Sequence, residues 1–203
     1  GLATARAPIE PSAILNAPLF RQLVGQLDGA GRRIVLDLGA ASTPMLALLG
    51  RSRCRVEIAD LADEGGIDRL NSDAPPDVCT ALAATLLPEH DSDDAVDLVF
   101  CWDLLNYLKP HAMAALMSAV AARGRPGMLA HALIVYSERS MAARPGRYIP
   151  TEDLKLLDRA TPAALVPAPR YSPEFLGSNM GKFTIEHARL LGNGMQEFVF
   201  RLN

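Results

Sequence analysis

The chain has 203 residues, 49% hydrophobic and 21% charged, the proportions of one globular domain around a single core. Its formal charge of -3, without any basic run interleaved with aromatics, gives no general field for polyanions, so nucleic acid is not an expected partner. Cys54, Cys79 and Cys101 stand singly, no apolar stretch nears the roughly 20 residues that span a bilayer, and residues 1–6 lack the charged and apolar regions of a signal peptide, so a reducing, cytoplasmic setting without membrane contact is expected.

Residues 12–27 carry Ile14, Leu15, Leu19, Phe20, Leu23, Val24 and Leu27 at helical spacing, which predicts an N-terminal helix within 12–30, bent by Pro18. The stretch 32–44 reads R-R-I-V-L-D-L-G-A-A-S-T-P. Its apolar run at 34–36 predicts a buried strand ending in Asp37-Leu38-Gly39, and Thr43-Pro44 opens a helix with an N-cap hydroxyl and a proline at the first helical position. That helix ends at Gly50, and residues 54–58 read as a second strand closing at Asp60. Beyond it a helix is expected at 67–70, a break at Pro75-Pro76, and a short third strand at 78–82.

Residues 96–102 form a near-continuous apolar run, like a parallel strand covered on both faces. A helix with Pro110 near its start and Met113, Leu116, Met117 and Val120 on one stripe leads through a Gly124–Gly127 turn into a strand at 128–136. Residues 137–171 are rich in proline, arginine and alanine. Thr151-Glu152-Asp153 there offers a helix N-cap, and the insert 137–182 suits a lid or substrate wall. Strands at 183–191 and 195–202 flank Gly192-Asn193-Gly194, whose Asn-Gly pair supplies the positive φ values of a tight turn. The expected fold is a single α/β domain over 1–203: an open, mostly parallel, seven-stranded, doubly wound sheet with a C-terminal antiparallel hairpin.

Ligands of such sheets bind beyond the carboxyl ends of the strands where strand order reverses, which is the position of the 37–43 turn. A full phosphate or dinucleotide fingerprint would place two further glycines where this chain has Ala41 and Thr43, whose Cβ atoms deny the closest backbone approach. The motif V-L-D-L-G at 35–39, Asp60 after the second strand, V-D-L-V-F-C-W-D-L-L-N-Y-L at 96–108 and the closing hairpin together resemble the Rossmann-like (class I) S-adenosylmethionine-dependent methyltransferases, with a degenerate glycine motif. The resemblance runs from about residue 14 to the end. It implies S-adenosylmethionine as cofactor and methyl transfer to a small molecule or a protein partner.

In that family the first carboxylate and glycine turn hold the methionine part of the cofactor, which carries over to Asp37 and Gly39, with Ala41 in the turn and Ser42 and Thr43 adding hydroxyl or backbone donors. The acid after the second strand receives the ribose hydroxyls. Asp60 matches and Glu57 is the second choice. No polar residue in Cys79-Thr80-Ala81-Leu82 matches the family's adenine contact. After the fourth strand, Trp102 and Asp103, then Asn106 and Tyr107, stand where the family touches methyl donor and acceptor.

Each has a plainer role beside the implied one: turn amides for Asp37, a helix cap for Asp60, a half-buried core aromatic for Trp102. None is a clear general base. His90, His111, His131 and His187 lack metal spacing, and His131 falls inside an apolar strand as a core imidazole. Arg139, Arg144, Arg147 and Arg170 face either solvent or an acidic acceptor. The alternative to an enzyme is a non-catalytic binding or scaffolding module that has lost the cofactor. A nicotinamide oxidoreductase is disfavoured by the missing G-x-G-x-x-G and by Asp37 where a pyrophosphate would lie.

Overall fold

The computed structural model describes residues 13–29, 31–159 and 163–203. Its helices are α1 (Pro18–Leu27), α2 (Thr43–Arg51), α3 (Gly66–Asn71), α4 (Pro76–Leu86), α5 (Pro110–Ala121) and α6 (Pro173–Asn179), and all but α3 carry a proline in the first turn. Proline fits there because the first turn leaves its N–H positions unbonded and needs the φ that the ring fixes. Pro18 therefore starts α1 instead of bending a longer helix, and Ile14 and Leu15 belong to strand β1 (Ala13–Leu15). Ser12 and Ala30, the outer limits expected for that helix, lie outside the described residues.

Strands β2 (Ile34–Asp37), β3 (Arg55–Ile58), β4 (Val96–Trp102) and β5 (Gly124–Val135) follow the expected order, with the Gly124–Gly127 segment drawn into β5. Residues 78–82 are not a strand. They lie in α4, where Cys79 and Ala83, one helical turn apart, are buried. A five-residue apolar run does not distinguish the two periods, and the alanines around it favour helix.

The insert is built of strands too: β6 (Ser140–Ala142) pairs with β9 (Leu165–Pro167), and β7 (Arg147–Pro150) pairs with β8 (Leu156–Arg159), which β1 joins on its other edge. Thr151 caps no helix. Its backbone N–H donates to the Lys155 carbonyl at 2.8 Å and its hydroxyl accepts from the Lys155 N–H at 3.1 Å, closing the β7–β8 turn. The same hydroxyl-to-backbone chemistry serves either structure.

The C-terminal hairpin is β10 (Phe183–Leu190) and β11 (Met195–Leu202), and in its loop Gly194 alone takes positive φ, at 82°. The main sheet runs β10-β11-β5-β4-β2-β3, with the last four parallel and the hairpin antiparallel. Among the described residues it has six strands, not seven, because the residues expected as the third lie in α4. Helices α1 and α2 cover one face, packing on Val35, Phe100 and Val199; α3 to α6 cover the other, on Leu36, Val99 and Phe198.

Candidate functional site

Parallel pairing brings the carboxyl ends of β2 and β3 together, and three backbone bonds lace the turns beyond them: Ala59 N–H to Asp37 O at 2.9 Å, Asp60 N–H to Gly39 O at 3.2 Å and Leu61 N–H to Leu38 O at 3.0 Å. The glycine turn and Asp60 are thus one rigid unit. Asp60, with φ 44°, opens onto a cleft of about 800 Å³ bounded by Gly39, Ile67, Trp102, Tyr107 and Arg147. The cleft lies where strand order reverses, between β2 and β4. Burial, then the neighbouring Asp63, raise the pKa of the Asp60 carboxyl, while Arg147 opposes them.

Asp37 is buried. Its Oδ1 accepts from the Gly39 N–H at 2.8 Å and from the Trp102 indole N–H at 2.7 Å. Burial outweighs both bonds and pushes this carboxyl up to about 6. Trp102 reaches it because its backbone is left-handed, φ 51°, beside a register shift in β4. Phe100 stacks on the indole at 5.2 Å and Tyr148 at 5.9 Å, with interplanar angles of 17° and 10°. With both faces taken and only 6% exposure, the ring is a core aromatic and offers no face to a sulfonium or an adenine.

The edge of that ring explains Gly39. A Cβ there would lie 2.8 Å from Trp102 Cδ1, closer than carbon atoms pack. Gly39 makes room for the indole in this chain. Ser42, not Thr43, caps α2, its Oγ accepting from Met45 N–H at 3.3 Å. Ala41, Ser42 and Thr43 line a second pocket of about 330 Å³ that shares Gly39, Trp102 and Arg147 with the cleft.

Asp103 ties β4 to the insert: its Oδ2 accepts from the Gly146 N–H at 2.9 Å and the Tyr148 hydroxyl at 3.2 Å. Its Oδ1 and the Oδ1 of Asp158 are buried without a partner among the described residues. Burial pushes the Asp103 carboxyl up to about 7, and the Asp158 charge adds to the rise. Asn106 does not line the cleft; its amide donates to Asp103 O and Leu133 O and accepts from Val135 N–H, all within 2.9 Å. Tyr107 does line it, and its hydroxyl donates to the Ala142 carbonyl at 2.8 Å, holding the insert as a wall. Cys101 is at the back with its thiol pushed up to about 12, so it offers no thiolate.

Cys79 in α4 is turned away, bonded to Ala74 O, and the wall beside Asp60 is made instead by Ala62, Asp63, Ile67 and Asp68. Those residues, with Gly146 and Arg159, were missed from sequence because turns and short strands carry no period that marks a face, whereas Arg147 stood among the arginines expected to face solvent or an acidic acceptor. Glu57 is engaged elsewhere, its carboxylate 2.7 Å from His90 Nδ1. His131 is core, paired at 2.7 Å with Glu197. Among the described residues no cluster of three or more His, Cys, Asp or Glu could hold a metal, and no helix is long and apolar enough to cross a membrane.

The fold is similar to that of solved S-adenosylmethionine-dependent methyltransferases. No protein-family model matches the chain, and no curated protein does. Among solved structures, an S-adenosylmethionine-dependent methyltransferase of Methanosarcina mazei superposes with a TM-score of 0.53 at 14% identity, over 92% of this chain and 98% of that one. A Pyrococcus horikoshii protein gives 0.51 at 14% identity, over 93% of each chain. A protein from a study of the conversion of a disulfide bond into a thioacetal group during echinomycin biosynthesis gives 0.51 at 20% identity, over 98% of this chain and 85% of that one. At these identities the likeness is one of fold.

Proposed function

We propose that the protein binds S-adenosylmethionine in the cleft at the β2/β4 switch point and transfers its methyl group to a small molecule or a protein acceptor. The observation that carries this reading is Asp60, laced to the glycine turn and open to the cleft without an ion-pair partner among the described residues. Such a carboxylate accepts two hydrogen bonds from a ribose diol. Gly39 and Ala40 border the methionine end of the cleft, and Ala62 and Ile67 give an apolar wall for a base. Bound S-adenosylmethionine supplies a methyl group already activated on a sulfonium. The chain's own residues orient donor and acceptor and exclude water, and orientation alone supports large rate gains.

The cofactor would be held by Asp60 and the Gly39–Ala40 backbone, while Asp37 acts through the turn and Trp102 through Asp37. One observation favours the second reading, a binding module without the cofactor: the indole fills the space in front of Gly39, and Ala41 and Thr43 carry Cβ atoms where the closest approach would be.

Calorimetric titration with S-adenosylmethionine and S-adenosylhomocysteine separates the two. The enzyme reading expects both to bind and Asp60→Asn to weaken them about tenfold or more, the worth of one charge-assisted bond. If neither ligand binds at millimolar concentration, the enzyme reading fails and the module takes its place. Unchanged affinity in Asp60→Asn removes Asp60 from the site. Ala41→Gly should leave binding unchanged or tighter.

A further inference from the structure

The β7–β8 hairpin places Arg147 and Arg159 directly opposite each other. Like charges in that register repel, and sheets ordinarily avoid them. Neither guanidinium has an ion-pair or hydrogen-bond partner among the described residues, whereas Arg33, Arg55 and Arg201 pair with acids. Both arginines line the 330 Å³ pocket, facing the turn from Gly39 to Pro44. Two unpaired guanidiniums at a concave surface form a fork for a planar or tetrahedral anion.

Charge separates the two pockets. Asp60, Asp63, Glu64 and Asp68 line the larger one beside Arg144 and Arg147, whereas Arg147 and Arg159 are, among the described residues, the only charged ones lining the smaller, which makes it the better place for an anion. Gly39, Ala40, Trp102, Gly146 and Arg147 border both, so one ligand or two adjoining ones can occupy the pair together. We propose that Arg147 and Arg159 form an anion subsite that binds a carboxylate or phosphate group of the methyl acceptor. The subsite stands on its own geometry; that the ligand is an acceptor rests on the methyltransferase reading above.

The test titrates the full chain, Arg159→Met and the double variant Arg147→Met/Arg159→Met with inorganic phosphate, and separately with S-adenosylhomocysteine and 5′-methylthioadenosine. The subsite predicts phosphate binding by the unaltered chain and a loss of about tenfold or more in Arg159→Met. Unchanged S-adenosylhomocysteine affinity in Arg159→Met, whose side chain lines only the smaller pocket, assigns the anion to the acceptor. If S-adenosylhomocysteine weakens with phosphate while methylthioadenosine, which lacks the carboxylate, does not, the subsite stands but its anion is the cofactor's own, which overturns the acceptor assignment. No phosphate binding at concentrations on the order of 10 mM, or equal binding by all three proteins, overturns the subsite. Phosphate binding needs no cofactor, so failure of the methyltransferase reading leaves this result readable. Circular dichroism of each variant confirms folding; should the double variant unfold, Arg159→Met alone decides.

Discussion

At the scale of single residues, Gly39, Asp37 and Trp102 form one device. The indole bonds the carboxylate, the carboxylate bonds the glycine amide, and the glycine leaves space for the indole. Gly39→Ala should therefore destabilise the protein by about 1–3 kcal/mol through overpacking against a ring held on both faces. Trp102→Leu in the same chain should recover part of that cost, a coupling measured by a double-mutant cycle in denaturant. Additive effects would refute the contact. Asp103 gives a pH test. Its pKa is raised from 3.8 to about 7, so the native state binds the proton more tightly than the unfolded chain. The associated stability is full below the unfolded value and is lost as pH rises through about 7. From pH 6 to 8, above the rise of Asp37 to about 6, the wild type should lose about 1.4 kcal/mol that Asp103→Asn keeps. Equal losses in both would show that Asp103 does not titrate there.

At the scale of elements, α1 lacks a side-chain cap of its own, since Ala17 precedes it. The cap comes from β11: Glu197 Oε1 and Oε2 accept from Leu19 and Phe20 N–H at 2.8 Å each, and His131 completes the set. All of this is buried, so Glu197→Ala, which strips the α1 amides and His131 of their acceptor, should cost about 3–5 kcal/mol in chemical denaturation. A loss below about 1 kcal/mol would mean that water reaches the site. Strand β4 was legible because its near-continuous apolar run up to Trp102 needs burial on both faces, and β2 because its short apolar run leads into a glycine turn and a proline-started helix. Proline was legible as punctuation but ambiguous in sense: Pro18 reads as a break, and the structure uses it as a start. Helix α4 and the insert strands were not legible, since 78–82 is too short to show a period and Thr151 carries the same signal for a turn as for a helix. Glu197 was invisible as a cap because its partners are 177 and 178 residues away.

At the scale of the whole molecule, the sheet order sets where the cleft opens, and Asp60 could be expected at its edge from sequence because its position just beyond β3 is fixed by topology. The rim formed by Gly146, Arg147 and Arg159 depends on an insert whose folding sequence periodicity does not report. The cleft thus joins a legible half, the first two strand ends, to an illegible half, the hairpin that walls it. The proposed function requires this switch point to hold S-adenosylmethionine despite Ala41 and Thr43. A crystal structure of the protein grown with saturating S-adenosylhomocysteine tests it most directly. The ribose hydroxyls should lie within hydrogen-bonding distance of the Asp60 carboxylate, with the Trp102 indole still bonded to Asp37. Ligand density elsewhere, or none at saturation, would contradict it.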